Sequence, residues 1–327
     1  MTFKKNWEKS DQHFTISRDE IEAMVQQAYP ERKFLSHRII SGGCANLNVE
    51  ITLDGQEQLS ILRIYLRDQD AAFREQKLAQ LIQATVPVPE SYFIGDIGNL
   101  RFAITQHMDG HTLRDLLLQG GALNIHEIMR EVGLMLARIQ SYRFSASGFF
   151  DHELTVTRKL SQEDYAHFAK ECLLYPTTRE KITKSDIAKM RAYFDEYYFL
   201  FPQTNENHLV HADYDPANIL VTQKRGKWTI SAILDWEFAF SGSTLCDVAN
   251  MTRYAHYMPP EYEEGFLQGL QEGGVTLPKS WRTSVHLLNL LSLLDCLTKC
   301  PLQVSPQRCK DICELITYIL HSLNDCL

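Results

Sequence analysis

The chain has 327 residues, with 33 Lys and Arg against 41 Asp and Glu, a net charge of −8, 44% hydrophobic residues and 23% charged ones. This balance argues against a disordered chain, and the acidity argues against a general nucleic-acid binder, which needs a basic face to neutralise phosphates. At roughly 100–200 residues per domain, the length provides about two lobes.

Residues 1–13 mix Lys4, Lys5 and Lys9 with Glu8 and Asp11 and lack the apolar run of a secretory signal. Ser17 and Glu20 have capping-box spacing, and Ile21, Met24, Val25 and Ala28 predict a helix ending before Pro30. Strand-like segments follow at 34–40, 47–53 and 59–66, with Asp54-Gly55 turning between the second and third. From Asp70, the spacing of Phe73, Leu78, Leu81 and Ile82 predicts a helix that stops before Pro87 and Pro89. Two more strands, at 92–94 and 100–106, flank a turn at 95–99. Residues 107–110 punctuate the chain, which divides it into a sheet-containing part at 1–109 and an almost wholly helical part at 110–327, an α+β organisation.

Helical patterns run over 113–118, 125–139, 162–173 and 185–200, then from 245 onward over 262–270, 281–297 and 307–323. One strand–turn–strand unit at 219–234, around 224–226, interrupts them. The apolar stretch at 285–297 is broken by Asn289, Ser292 and Asp295 and is too short for a bilayer, so the expectation is a soluble cytoplasmic protein without a membrane or obligate protein partner. Of eight cysteines, Cys296, Cys300, Cys309, Cys313 and Cys326 cluster late; with no C-x-x-C or His partner, they read as buried reduced thiols.

The sharpest constellation is His211-Ala-Asp213-Tyr-Asp215-Pro-Ala-Asn218, followed seventeen residues after Asn218 by Asp235-Trp-Glu237. Apolar residues precede both acidic groups: Leu209-Val210 in one case, Ala232-Ile233-Leu234 in the other. Asp213 and Asn218 share one loop and can converge on a small volume. Asp213 can accept a hydroxyl proton, while Asn218 and Asp235 offer a neutral and a charged oxygen to a hard cation such as Mg²⁺. Those parts suit phosphoryl transfer, where positioning and charge neutralisation supply most of the catalysis. Taken singly, Asp213 and Asp215 read as turn formers around Pro216 and Asp235 as a helix cap; the combined order favours chemistry.

With these residues in this order, the sequence resembles the aminoglycoside phosphotransferase and choline kinase family of small-molecule kinases, relatives of the protein kinases, over about residues 39–250. The resemblance implies a bilobal protein-kinase-like fold with a small antiparallel-sheet lobe and a larger helical lobe. It implies Asp213 as catalytic base and Asn218 and Asp235 as magnesium ligands. His211 would be a structural member of the loop and Asp247 its brace, while Glu237 would touch a second metal or the substrate, or cap the next segment.

Gly42, Gly43 and Asn46 match the family's G-G-x-x-N turn, where glycines let the backbone approach phosphates. Arg63 stands where the wider superfamily usually has Lys, with Glu75 as its implied partner; Arg's planar fork does not place a point charge as Lys does. Residues 106–110, including Gln106 and Met108, would connect the lobes and hold the nucleotide base through backbone groups, which leaves ATP and GTP open.

The implied reaction moves the γ-phosphate of ATP or GTP to a small molecule's hydroxyl. An aminoglycoside-type acceptor, with antibiotic resistance as its corollary, is the leading expectation. A sugar, choline, another amino alcohol or homoserine is the alternative, and a catalytically silent kinase-like binding module is the competing class. Glu163, Asp164, Glu261, Glu263 and Glu264 are candidates to receive a polycation, and Tyr254, Tyr257 and Tyr262 are candidates to stack on a ligand.

Overall fold

The first helix, α1 (Arg18–Ala28), starts where its capping box predicts: the Glu20 N–H donates to Ser17 Oγ at 3.2 Å and the Ser17 N–H to the Glu20 carboxylate at 2.8 Å. The computed structural model describes residues 3–7, 16–40, 46–55, 58–120, 123–300 and 306–326. After α1 come β1 (Phe34–Ile40), β2 (Leu47–Leu53), β3 (Ser60–Tyr65), α2 (Ala71–Ile82), β4 (Ser91–Ile97) and β5 (Leu100–Gln106).

These strands form one antiparallel sheet in the order β1-β2-β3-β5-β4. Alternation along β2 and β3 sends Val49, Ile51, Leu62 and Ile64 to one face, where they pack with Ile21, Met24 and Val25 of α1. The same alternation sends Ile61, Arg63 and Tyr65 to the other face, which lines the cleft. The sheet therefore sets the direction of the Arg63 side chain.

Beyond the sheet lie β6 (His111–Thr112), α3 (Leu113–Gln119), α4 (Ile125–Ile139), β7 (Gly148–Phe150), β8 (Val156–Lys159), α5 (Gln162–Cys172), α6 (Pro176–Lys181) and α7 (Lys184–Glu196). Next are β9 (His208–Val210), β10 (Ile219–Lys224), β11 (Lys227–Ile233), β12 (Phe240–Gly242), α8 (Leu245–Thr252), α9 (Glu261–Glu272), α10 (Trp281–Thr298) and α11 (Pro306–Cys326). The chain thus folds as the bilobal kinase-like α+β architecture, a sheet lobe and a larger helical lobe facing each other across a cleft.

The helical part is interrupted more than once. Besides β10, which pairs with β11 on one side and β6 on the other, a four-stranded sheet runs β8-β7-β12-β9. Its strands have three or four residues each, too short to show a period of two, and long-range pairing fixes them. The helix expected at 185–200 ends at Glu196, and 198–200 form a 3-10 turn.

Helices α4 and α9 pack backbone against backbone. A Cβ at Gly133 would collide with the Phe266 carbonyl and one at Gly269 with the Arg130 carbonyl, so both positions need glycine. The expectation of wholly reduced thiols is corrected at one pair: Cys300 and Cys309 are joined in a disulfide, because the facing ends of α10 and α11 bring their Cα atoms to 6.2 Å. Cys172, Cys246, Cys296 and Cys313 are free. Among the described residues, no helix is long and apolar enough to cross a membrane.

Candidate active site

Strand β9 delivers His211 into the core, where it is fully buried and organises the loop. Its Nδ1 accepts the Asp213 N–H at 3.2 Å, so its Nε2 carries the proton and donates to the Leu234 carbonyl at 2.8 Å. That pattern requires a neutral ring, in keeping with burial, which holds the His211 pKa below its ordinary value. Asp247, on α8, accepts the His211 and Ala212 N–H groups at 2.8 and 2.9 Å. This clamp holds Ala212 at φ 68°, a left-handed conformation that an L residue adopts only when its surroundings enforce it. Burial pushes the Asp247 carboxyl up to about 7.

The clamp points Asp213 into the cleft. Asn218 Nδ2 donates to both the carbonyl and Oδ2 of Asp213 at 2.9 Å, which leaves Asn218 Oδ1 as the amide's acceptor. Leu234 N–H donates to the Asn218 carbonyl at 2.9 Å, so the β11 end is tied to the same loop. The next residue, Asp235, sits at φ 62° and ψ 62°. Ala212 and Asp235, both in left-handed geometry, thus mark the two motif carboxylates.

Arg63 reaches across from β3. Its Nη1 donates to Asp235 Oδ1 at 2.5 Å and to Asn48 Oδ1 at 3.3 Å, and its Nη2 donates to Glu75 Oε1 at 3.2 Å. Burial works against its charge, but Glu75 and Asp235 outweigh burial and hold its pKa above the ordinary value. Glu75 also accepts from Tyr65 Oη at 2.5 Å. Glu237 is buried, lies 3.8 Å from Arg63 and accepts from Asn46 Nδ2 at 3.0 Å. Its carboxyl is pushed up to about 7 by burial, against the pull of Arg63.

Two cavities meet at Asp235. One, of about 340 Å³, lies under the sheet and includes Arg63, Glu75, Val88, Gln106, Met108 and Leu220. The other, of about 270 Å³, includes Asp213, Asp215, Asn218, Glu237 and Asn250. Arg63 and Asp235 line both. The sequence-derived site residues Asp213, Asn218, Asp235, Arg63, Glu75, Gln106, Met108 and Glu237 therefore line one cleft, and His211 and Asp247 are buried behind it. Asn46 also lines the polar cavity, where it donates to Glu237, and Gly42 and Gly43 lie outside the described residues.

The sequence profile of the phosphotransferase enzyme family matches residues 36–282. The chain belongs to the phosphotransferase enzyme family. No curated protein matches this phosphotransferase by sequence. Among solved structures, it is similar to a thermostable mutant of aminoglycoside phosphotransferase APH(4)-Ia in complex with ADP and hygromycin B, with a TM-score of 0.71, 18% identity, and coverage of 92% of this chain and 98% of that one. Aminoglycoside 2'-phosphotransferase-IIIa in its GDP complex gives a TM-score of 0.68 at 15% identity, covering 94% and 99%. Spectinomycin phosphotransferase APH(9)-Ia with ADP and spectinomycin gives 0.58 at 11%, covering 94% of each chain.

Several residues that shape the candidate site carry no signal in the sequence. Asp215 was read only as a turn former, yet it stands beside Asp213 in the polar cavity. Arg253 on the far wall bonds Asn250 at 2.6 Å, Asn289 at 2.9 Å and Ser292 at 3.0 Å, contacts that no local spacing announces. Lys4, near the chain start, pairs with both Asp213 and Asp215.

Of the suggested acceptor residues, Asp164 lines a groove that adjoins the polar cavity, while Glu263, Tyr254 and Tyr262 have other partners. Glu263 pairs with Arg282 and Asp164 caps α5, while Tyr254 and Tyr262 are core residues bonded to Asp311 and to the Met251 carbonyl.

Proposed function

We propose that this phosphotransferase is a magnesium-dependent small-molecule kinase, dividing near residue 109, that moves the γ-phosphate of ATP or GTP to a hydroxyl of an amine-bearing, aminoglycoside-type acceptor. The observation that carries the reading is the meeting of two cavities at Asp235, one apolar and edged by the 106–110 connection, the other lined by charged side chains of both signs, with Asp213 and Asp215 paired to an ammonium. Nucleotide in the first would aim its phosphates at Arg63, Asn218 and Asp235, and an acceptor in the second would lie against Asp213.

The donor set fits Mg²⁺. Asn218 Oδ1 and the Asp235 carboxylate are hard oxygens on one wall, and Mg²⁺ takes few protein ligands plus phosphate and water. When bound, it supplies charge neutralisation for the phosphates. The chain's own residues do the rest. Asp213, oriented by Asn218, takes the acceptor hydroxyl proton as the new oxygen–phosphorus bond forms and the bond from the γ-phosphorus to the bridging oxygen breaks, releasing ADP or GDP. Arg63 holds the phosphates and Glu75 holds Arg63. His211 and Asp247 position the loop and touch neither reactant.

A second reading, a metabolite kinase for an amino alcohol with an apolar part, is favoured by one feature. The polar cavity shares Ala212, Asn250 and Asp295 with a groove of about 350 Å³ that carries the half-exposed rings of Phe149, Phe168 and Phe238.

A nucleotide-consumption screen with Mg²⁺ against aminoglycosides, amino alcohols and sugars tests both readings. The expected result is magnesium-dependent consumption driven by an amine-bearing alcohol and reduced about a hundredfold or more in Asp235→Asn. Magnesium-dependent nucleotide binding without consumption would indicate a silent binding module instead.

A further inference from the structure

Residues 3–7 lie in the cleft rather than on the sheet lobe that follows them in sequence. Phe3 is 1% exposed, with its ring centroid 5.4 Å from that of Tyr254 and 6.1 Å from that of Tyr262. Trp7 is 5% exposed, and its Nε1 donates to Asp311 Oδ2 at 2.6 Å, the same oxygen that accepts from Tyr254 Oη at 2.7 Å. Between these two anchors, Lys4 Nζ pairs with Asp213 Oδ1 and Asp215 Oδ2.

The consequence for the base is direct. Asp213 Oδ2 accepts from Asn218 and Oδ1 from Lys4, so a hydroxyl that approaches Oδ1 meets the ammonium already there. Removing Lys4 frees Oδ1 but leaves Asp213 beside Asp215, which is only 5% exposed. Two neighbouring carboxylates in such a place are costly without a positive charge. Arg253 also acts on Asp213 but is engaged by Asn250, Asn289 and Ser292, so a replacement for Lys4 that keeps the pair neutralised brings a cation as well as a hydroxyl.

We propose that Lys4 is an intramolecular stand-in for the acceptor and a specificity-determining residue: its ammonium covers the Asp213–Asp215 pair and yields only to an alcohol that carries its own positive charge. Neutral polyols lack the charge needed to displace it. Because Phe3 and Trp7 anchor the segment on either side, Lys4 returns to the pair when the acceptor leaves. The inference rests on the kinase reading of Asp213.

Two measurements on the full chain test it. In the first, lysines are acylated with an N-hydroxysuccinimide ester and read by peptide mass spectrometry. Lys4 is expected to react at least about tenfold more slowly than its exposed neighbour Lys5, and choline chloride is expected to speed Lys4 labelling where myo-inositol at matched ionic strength does not. Equal labelling of Lys4 and Lys5 in the free protein, or equal effects of choline and inositol, would overturn the proposal.

In the second, basal nucleotide hydrolysis is expected to rise about fivefold or more in Lys4→Gln and to fall back toward the wild-type rate in the charge-keeping Lys4→Arg. A rate in Lys4→Gln that matches wild type, with thermal unfolding also unchanged, would overturn it. Failure of the kinase reading shows separately, as hydrolysis that is the same in Asp213→Asn and wild type while Lys4 remains protected from acylation.

Discussion

The two sides of Asp235 are built by different rules. On the sheet side, Arg63 is placed by strand alternation and serves Glu75, Asp235 and Glu237, residues that already face the same cleft. On the acceptor side, Asp213 and Asp215 receive their counter-charge from Lys4, which is 209 residues from Asp213 in sequence. The sheet side is a closed charge cluster fixed by secondary structure. The acceptor side is completed by a segment that tertiary packing brings in, and an entering molecule can take that segment's place.

The sharpest way to break the sheet-side half of this contrast is Arg63→Met. It leaves Glu75 and Glu237 buried without their shared cation, and a stability loss of about 3 kcal/mol or more is expected, read as a drop in the chemical-denaturation midpoint. A loss below about 1 kcal/mol would mean that the cluster relaxes into solvent and is not closed.

A smaller effect is expected from Asp311→Ala on the other side. It removes the acceptor shared by Trp7 and Tyr254, so the stability loss should be about 1–3 kcal/mol, and Lys4 acylation should speed up. Unchanged acylation would separate Lys4 from its anchor.

The smallest effect concerns pH. The His256 ring stacks on Tyr318 with centroids 3.6 Å apart, and neither ring nitrogen has a hydrogen-bond partner among the described residues. Burial first, then the neighbouring His286, lower its pKa from 6.5 to about 4. The folded site therefore favours the neutral ring, and the unfolded chain takes up the proton first as pH falls. The contribution of His256 to stability is complete above pH 6.5 and drains between 6.5 and about 4. After allowance for its partial exposure, His256→Gln should remove about 1 kcal/mol of that slope in pH-dependent unfolding. An unaltered slope would place the acid sensitivity at other groups.

The same contrast explains what was legible in the sequence. The sheet lobe could be read strand by strand, because its strands are long enough to show alternation and turn residues and capping chemistry marks α1, except that β4 runs on to Ile97 through part of the turn expected at 95–99. The candidate-site residues were legible because Asp213 and Asn218 share one short loop and Asp235 follows a strand pair. Lys4, Arg253 and the sheet of β7, β8, β9 and β12 were not. Their partners are distant in sequence, and elements of three or four residues carry too little periodicity to be seen. Asp215 was visible but ambiguous, since beside Pro216 a turn former and a site carboxylate look alike. The Cys300–Cys309 bridge was hidden for a related reason: cysteine spacing alone does not say which helix ends meet.

The most direct test of the account is phosphoryl transfer itself, measured as phosphorylated acceptor formed from ATP or GTP with Mg²⁺ by wild type and by Asp213→Asn. The account predicts that both proteins bind nucleotide alike and that the variant forms product about 10²–10⁴-fold more slowly. Near-equal product formation by the two would contradict it.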